Sequence, residues 1–90
     1  MFKKVPTVVT RGINNAMCDS EDFTKEVMKC FARYNNNDWG EMCDEDIETN
    51  NFALKNGGRI FASYETCKGK IWIITEWDRS VTTILFPSEY

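Results

Sequence analysis

The string "EWDRS", residues 76–80, sets two carboxylates and a guanidinium within four positions. A carboxylate can serve as a general base and an arginine as an anion clamp, so Glu76, Asp78 and Arg79 form a candidate site. The same string is also what a tight turn needs. Asp and Ser bond the local backbone, and Arg79 can pair with either acid at the surface. No nucleophile at a diagnostic spacing and no phosphate-cradling glycine loop accompanies the trio, and the chain has no histidine. Glu76, Asp78 and Arg79 are therefore expected to be the turn of a hairpin, with a site as the alternative, and catalysis is not expected.

A second cluster is acidic. Asp38, Glu41, Asp44, Glu45, Asp46 and Glu48 supply six carboxylates with no base between them. Counted as a calcium loop from Asp44, the stretch puts Thr49 where the tight-turn glycine belongs. Lys55 then falls where the bidentate glutamate belongs. The pattern fits an acid-rich helix start better than a metal site. Such a surface repels a phosphate backbone and attracts a basic protein groove. Cys18, Cys30, Cys43 and Cys67 lack the short ligand pairs of a zinc site. With no export signal visible in "MFKKVP", free thiols, a cytoplasmic location, no metal and no cofactor are expected.

Lys3, Lys4 and Arg11 make residues 1–15 basic, with no acid among them, which supports an alternative reading as a nucleic-acid-binding accessory. Trp39, Trp72 and Trp77 with Tyr64 and Phe86 could stack bases, but they do not coincide with that basic segment and are read as core.

The elements that must position these groups follow from periodicity. Ninety residues with 42% hydrophobic content suffice for one core, so residues 1–90 are taken as a single domain. "VPTVVT" reads as a short strand that Pro6 confines to a sheet edge, and Arg11-Gly12 and Asn14-Asn15 as turn chemistry. Ser20 caps a helix whose stripe is Phe23, Val27, Cys30, Phe31 and Tyr34, ended by Asn35-Asn36-Asn37. A weaker helix starts at Asp44 as cap and stops at Gly57. Ile47, Asn51 and Leu54 share its buried side, which requires partners for the Asn51 amide. From Arg59 the period is two, giving three strands in a meander. The expected fold is α+β, in the order β-α-α-β-β-β, with two helices packed on one face of an antiparallel sheet. The last two strands carry large apolar groups on both faces, so something besides the helices must cover the second face. The longest apolar run is Ile71 to Ile74, far short of a membrane span.

"VVTRGIN", "DWGEM", "NGGRIFASY" and "IWIITEWDRSVTTILFPSEY" together resemble the small plasmid-related proteins of bacterial plasmids, phages and conjugative elements. The resemblance spans most of residues 7–90. Typical members carry a less aromatic residue where Trp77 stands. That family has no assigned activity; the resemblance implies a mobile-element setting, in which small acidic proteins block host defence complexes. Joined with the charge map, it gives the expected function: a non-catalytic interaction protein that inhibits CRISPR or restriction machinery through its acidic surface. The expected partner is a protein, such as a host nuclease or CRISPR effector, rather than nucleic acid or a membrane, with a homodimer left open.

Overall fold

The computed structural model describes residues 5–90. Its element order is β1 (Thr7–Val9), α1 (Arg11–Asp19), α2 (Glu21–Asn35), α3 (Asp44–Asn56), β2 (Ile60–Thr66), β3 (Gly69–Thr75) and β4 (Thr82–Leu85), followed by a 3-10 turn, Pro87–Glu89. The class is α+β, and the chain order β-α-α-β-β-β is recovered with one added helix.

Local signals account for α2. The Ser20 hydroxyl accepts the Phe23 N–H at 3.1 Å, Glu21 and Asp22 occupy the positive first turn, and Arg33 the negative last turn. Asn36 caps its end, and Asn37 adopts φ 64°. The buried stripe is Phe23, Val27, Cys30 and Tyr34, while Phe31 is only half-buried. Phe23 stacks on Phe86, and the Tyr34 hydroxyl lies 2.6 Å from that of Thr75, which in turn lies 2.8 Å from that of Thr82. That chain gives the buried hydroxyls partners, and burial pushes the Tyr34 phenol up to about 12.

The expected turn at Arg11–Asn15 is instead α1. Ile13, Ala16 and Met17 place an apolar stripe at i, i+3 and i+4, with Ile13 fully buried. The local sequence offers this helix no side-chain cap. Its cap comes from the other end of the chain. Glu89 accepts the Thr10 hydroxyl at 2.5 Å, the Gly12 N–H at 2.9 Å and the Phe86 N–H at 3.1 Å. A carboxylate there satisfies an orphan helix donor and complements the helix dipole. A Cβ on Gly12 would sit 2.7 Å from that carboxylate, so the glycine admits the close approach.

The sheet is mixed rather than antiparallel, in the order β1-β4-β3-β2. β2–β3 and β3–β4 are antiparallel, as the meander requires, but β1 lies parallel to β4. β1 cannot return by a hairpin, because α1 follows it at once and leads the chain away over one face. Three helices, not two, thus cover that face. Ile60, Ala62, Tyr64, Ile71, Ile73 and Ile84 pack beneath them.

The second face is covered in part, by Tyr90 over β2 and β3, while Val8 at its β1 edge stays exposed. Tyr90 meets Trp72 edge-on at 5.6 Å, Trp72 meets Phe61 at 4.8 Å, and the Arg59 guanidinium lies 5.3 Å from the Tyr90 centroid while donating to its hydroxyl at 2.7 Å. Ile74 and Leu85 are buried on this side.

Removing the Phe23 ring should cost about 3–5 kcal/mol, the usual range for a buried aromatic, whereas the half-buried Phe31 should cost clearly less. Urea denaturation of Phe23→Ala and Phe31→Ala checks this; equal losses would contradict the packing of α2.

Candidate functional site

The turn 76–81 is held by its own backbone. Glu76 N–H donates to the Val81 carbonyl at 3.1 Å, Arg79 N–H to the Glu76 carbonyl at 2.9 Å, and the Asp78 carboxylate accepts the Ser80 N–H at 3.0 Å. Among the described residues Arg79 pairs with no acid. Its Nη2 donates to the Ala53 carbonyl at 2.8 Å, and its Nη1 to the carbonyls of Gly58 at 2.5 Å, Glu76 at 3.2 Å and Trp77 at 3.4 Å. Ala53 lies in the last turn of α3, whose terminal carbonyls need donors, and a guanidinium is the one side chain able to serve several at fixed angles. Arg79 itself sits at φ 61°. Glu76, Asp78 and Arg79 are thus a turn and a latch. The expectation of a surface ion pair is corrected, because the latch uses all the contacts that Arg79 makes.

The acidic cluster is divided by the fold. Asp38 is engaged: Arg33 Nε and Nη2 reach its two oxygens at 2.8 and 3.2 Å, and the Gly40 N–H donates to it at 3.2 Å. The hydrogen bond from Arg33 holds its carboxyl below the ordinary range. Asp38 belongs to a joint that fixes the loop to β2. The Tyr64 hydroxyl donates to the Asp38 carbonyl at 2.6 Å, and Gly40 pairs with Ser63 as a one-residue parallel bridge. Gly40 has φ 79°, and a Cβ there would meet the Ser63 carbonyl oxygen and the Tyr64 ring, so this joint requires glycine. Trp39 is buried edge-on to Tyr34, and its indole N–H donates to Asn51 at 3.1 Å.

Glu41, Asp44, Glu45, Asp46 and Glu48 remain exposed and form no ion pair among the described residues. Asp44 is the first residue of α3, not its cap; the cap is Cys43, whose thiol donates to Asp46 at 3.2 Å. Asp44, Glu45 and Asp46 complement the positive first turn. At 100° per residue, Glu45, Glu48 and Phe52 line the outward stripe of α3, with Lys55 beside them. The buried asparagine is Asn50 rather than Asn51. Its side chain donates to the Phe61 carbonyl at 2.7 Å and accepts the Phe61 N–H at 3.2 Å, closing the outer edge of β2 as a strand would.

Of the remaining candidates, Lys3 and Lys4 lie outside the described residues, and Arg11 is exposed at the start of α1. Trp39 and Tyr64 are buried and Trp72 and Phe86 half-buried, which fits packing; Trp77 is 70% exposed, which does not. The four cysteines are free thiols, and among the described residues no group of three or more Cys, Asp or Glu could hold a metal ion. No helix among the described residues is long and apolar enough to cross a membrane. Beside Tyr90 lies a cleft of about 220 Å³, lined in part by Ile74, Leu85, Arg59, Glu76 and Glu89. Glu89 is committed to capping α1 and Arg59 to Tyr90.

Two expectations follow. Arg79→Ala should destabilise the fold by about 1.5–3 kcal/mol, as for lost hydrogen bonds to a charged donor, while Glu76→Gln should change stability by less than about 1 kcal/mol. Thermal and urea denaturation of both variants would decide it, and a neutral Arg79→Ala would refute the latch. The Glu89 carboxyl is lowered first by the Thr10 hydroxyl. A group whose pKa falls on folding stabilises above its unfolded value and loses that contribution as pH drops through the folded one. Wild type should therefore lose stability below pH 4.5 more steeply than Glu89→Gln. Parallel acid titrations of the two melting temperatures would test the cap.

No protein-family model matches the chain, and no curated protein or solved structure is significantly similar to it, so the site rests on its own geometry.

Proposed function

We propose that this chain is a non-catalytic interaction protein that engages a basic protein groove through the outward side of α3 and the loop before it. The observation that carries this reading is the set Glu41, Asp44, Glu45, Asp46 and Glu48: five exposed carboxylates without a cationic partner among the described residues. The other charged groups that drew attention are consumed internally, Asp38 by Arg33, Glu89 by α1 and Arg79 by backbone carbonyls. Unpaired charge in one place raises the local potential and steers a positively charged partner. The plasmid-related resemblance supports a host nuclease or CRISPR effector as that partner, since such complexes contain basic channels for nucleic acid that an acidic surface can occupy. The commitment of Asp78 and Arg79 to the turn supports the absence of catalysis there.

The affinity-tagged chain should retain a basic protein at 0.1 M salt and release it towards 1 M, as the screening length falls from about 10 Å to about 3 Å. Reversing Glu41, Glu45 and Glu48 to lysine should slow association and weaken the complex without unfolding the domain. DNA binding should not weaken. Equal partner affinity of wild type and variant at both salt concentrations, or nucleic acid as the retained species, would overturn the reading.

A further inference from the structure

Two of the most exposed large side chains among the described residues are Phe52, at 67%, and Trp77, at 70%. They come from separate elements, yet their backbones converge on one group. Arg79 donates to the carbonyl of Ala53, which follows Phe52, and to the carbonyl of Trp77 itself. One planar guanidinium therefore fixes the helix turn bearing Phe52 against the hairpin turn bearing Trp77. Phe52 lies on the same stripe as Glu45 and Glu48, one and two turns further from the N-terminus than these carboxylates, and Asp78 follows Trp77 directly.

We propose that Phe52 and Trp77 are the paired apolar anchors of the partner-binding surface, seated in an apolar pocket of a basic protein groove whose cations meet Glu45 and Glu48. The inference rests on the acidic-face reading and deepens it. Among the described residues neither ring stacks on another: the turn is closed by backbone bonds and by Asp78, and α3 is held by Asn50, Ala53 and the Arg79 latch. Large aromatic groups held on a rigid base and rimmed by charge are the residues that dominate binding energy, since little conformational freedom is lost when they dock. Charge selects the occupant. A second copy would bring Glu45 and Glu48 against like carboxylates with only Lys55 to offset them, and lipid headgroups or nucleic acid carry the same sign as the acids of this stripe. A cationic protein is the complementary case.

A photo-crosslinking amino acid placed at position 52, at position 77, or at the exposed Met28 of α2 as control, tests this in a bacterial host. Positions 52 and 77 should capture the same basic protein, and position 28 should not. With that protein purified, Phe52→Ala and Trp77→Ala should each weaken binding about 30-fold or more, as hot-spot residues do, while Met28→Ala stays within threefold. Near-UV circular dichroism confirms that each variant is folded. Absence of a common crosslink, capture of a second copy, or alanine variants within threefold of wild type would overturn the anchors. If the alanine variants bind normally while the lysine reversals do not, the anchors fall and the acidic face stands. If neither set weakens binding, both fall.

Discussion

Arg79 gives its guanidinium to carbonyls from three segments, and the relative placement of α3, the loop into β2 and the last hairpin depends on it. A helix end leaves carbonyls unpaired, and a small domain has little surrounding structure with which to satisfy them. A single arginine in a left-handed turn conformation resolves this from outside the helix. Lysine could not, because its ammonium is a point donor that cannot serve the fixed directions a guanidinium spans.

The same solution recurs at the outer edge of β2 and at the start of α1. The Asn50 amide closes the outer edge of β2 at Phe61, and the Trp39–Glu41 segment closes it at Ser63, where the Ser63 N–H donates to Trp39 and the Glu41 N–H to Ser63. An open edge would template pairing with another chain; here it is sealed by one side chain and one glycine-dependent bridge. Glu89 performs the corresponding task for α1. These fasteners join stretches far apart in the chain: "TRGIN" meets "PSEY" at Glu89, "NGGRI" meets "EWDRS" at Arg79, and "DWGEM" meets "IFASY" at Gly40 and Ser63.

That pattern explains what the sequence disclosed. α2 was legible because its cap, stripe and stop are all local: Ser20, Phe23 to Tyr34, and Asn36. The meander was legible for the same reason. α1 was not, because its cap lies 77 residues away from Gly12 and its asparagines mimic a turn. The sequence does not separate Asn50 from Asn51, because α3 has a weak apolar face and only β2 beside it selects Asn50. The parallel pairing of β1 depends on where α1 sends the chain, which no window around Val8 contains. In the acidic stretch, composition revealed the six carboxylates, but only the fold shows that Asp38 is bound to Arg33 and Gly40 while the others are not.

The distribution of used and unused groups is what gives the molecule a direction. In a chain of this size, most conspicuous polar side chains are spent on closing the fold, and a motif of charged residues is weak support for chemistry until its bonds are traced. Asp38, Arg79 and Glu89 are bound within the fold, whereas the α3 carboxylates are not ion-paired among the described residues and share their helix with the exposed Phe52, to which the turn bearing Trp77 is latched. Exposed rings cost solvent-ordering free energy and invite aggregation, so their presence beside unpaired charge asks for a cause that the fold itself does not supply. The Arg79 latch makes the two facts one. The interaction that completes α3 also ties the turn bearing Trp77 to the helix that carries Glu45, Glu48 and Phe52, so the rigidity of the proposed surface comes directly from the stability of the fold.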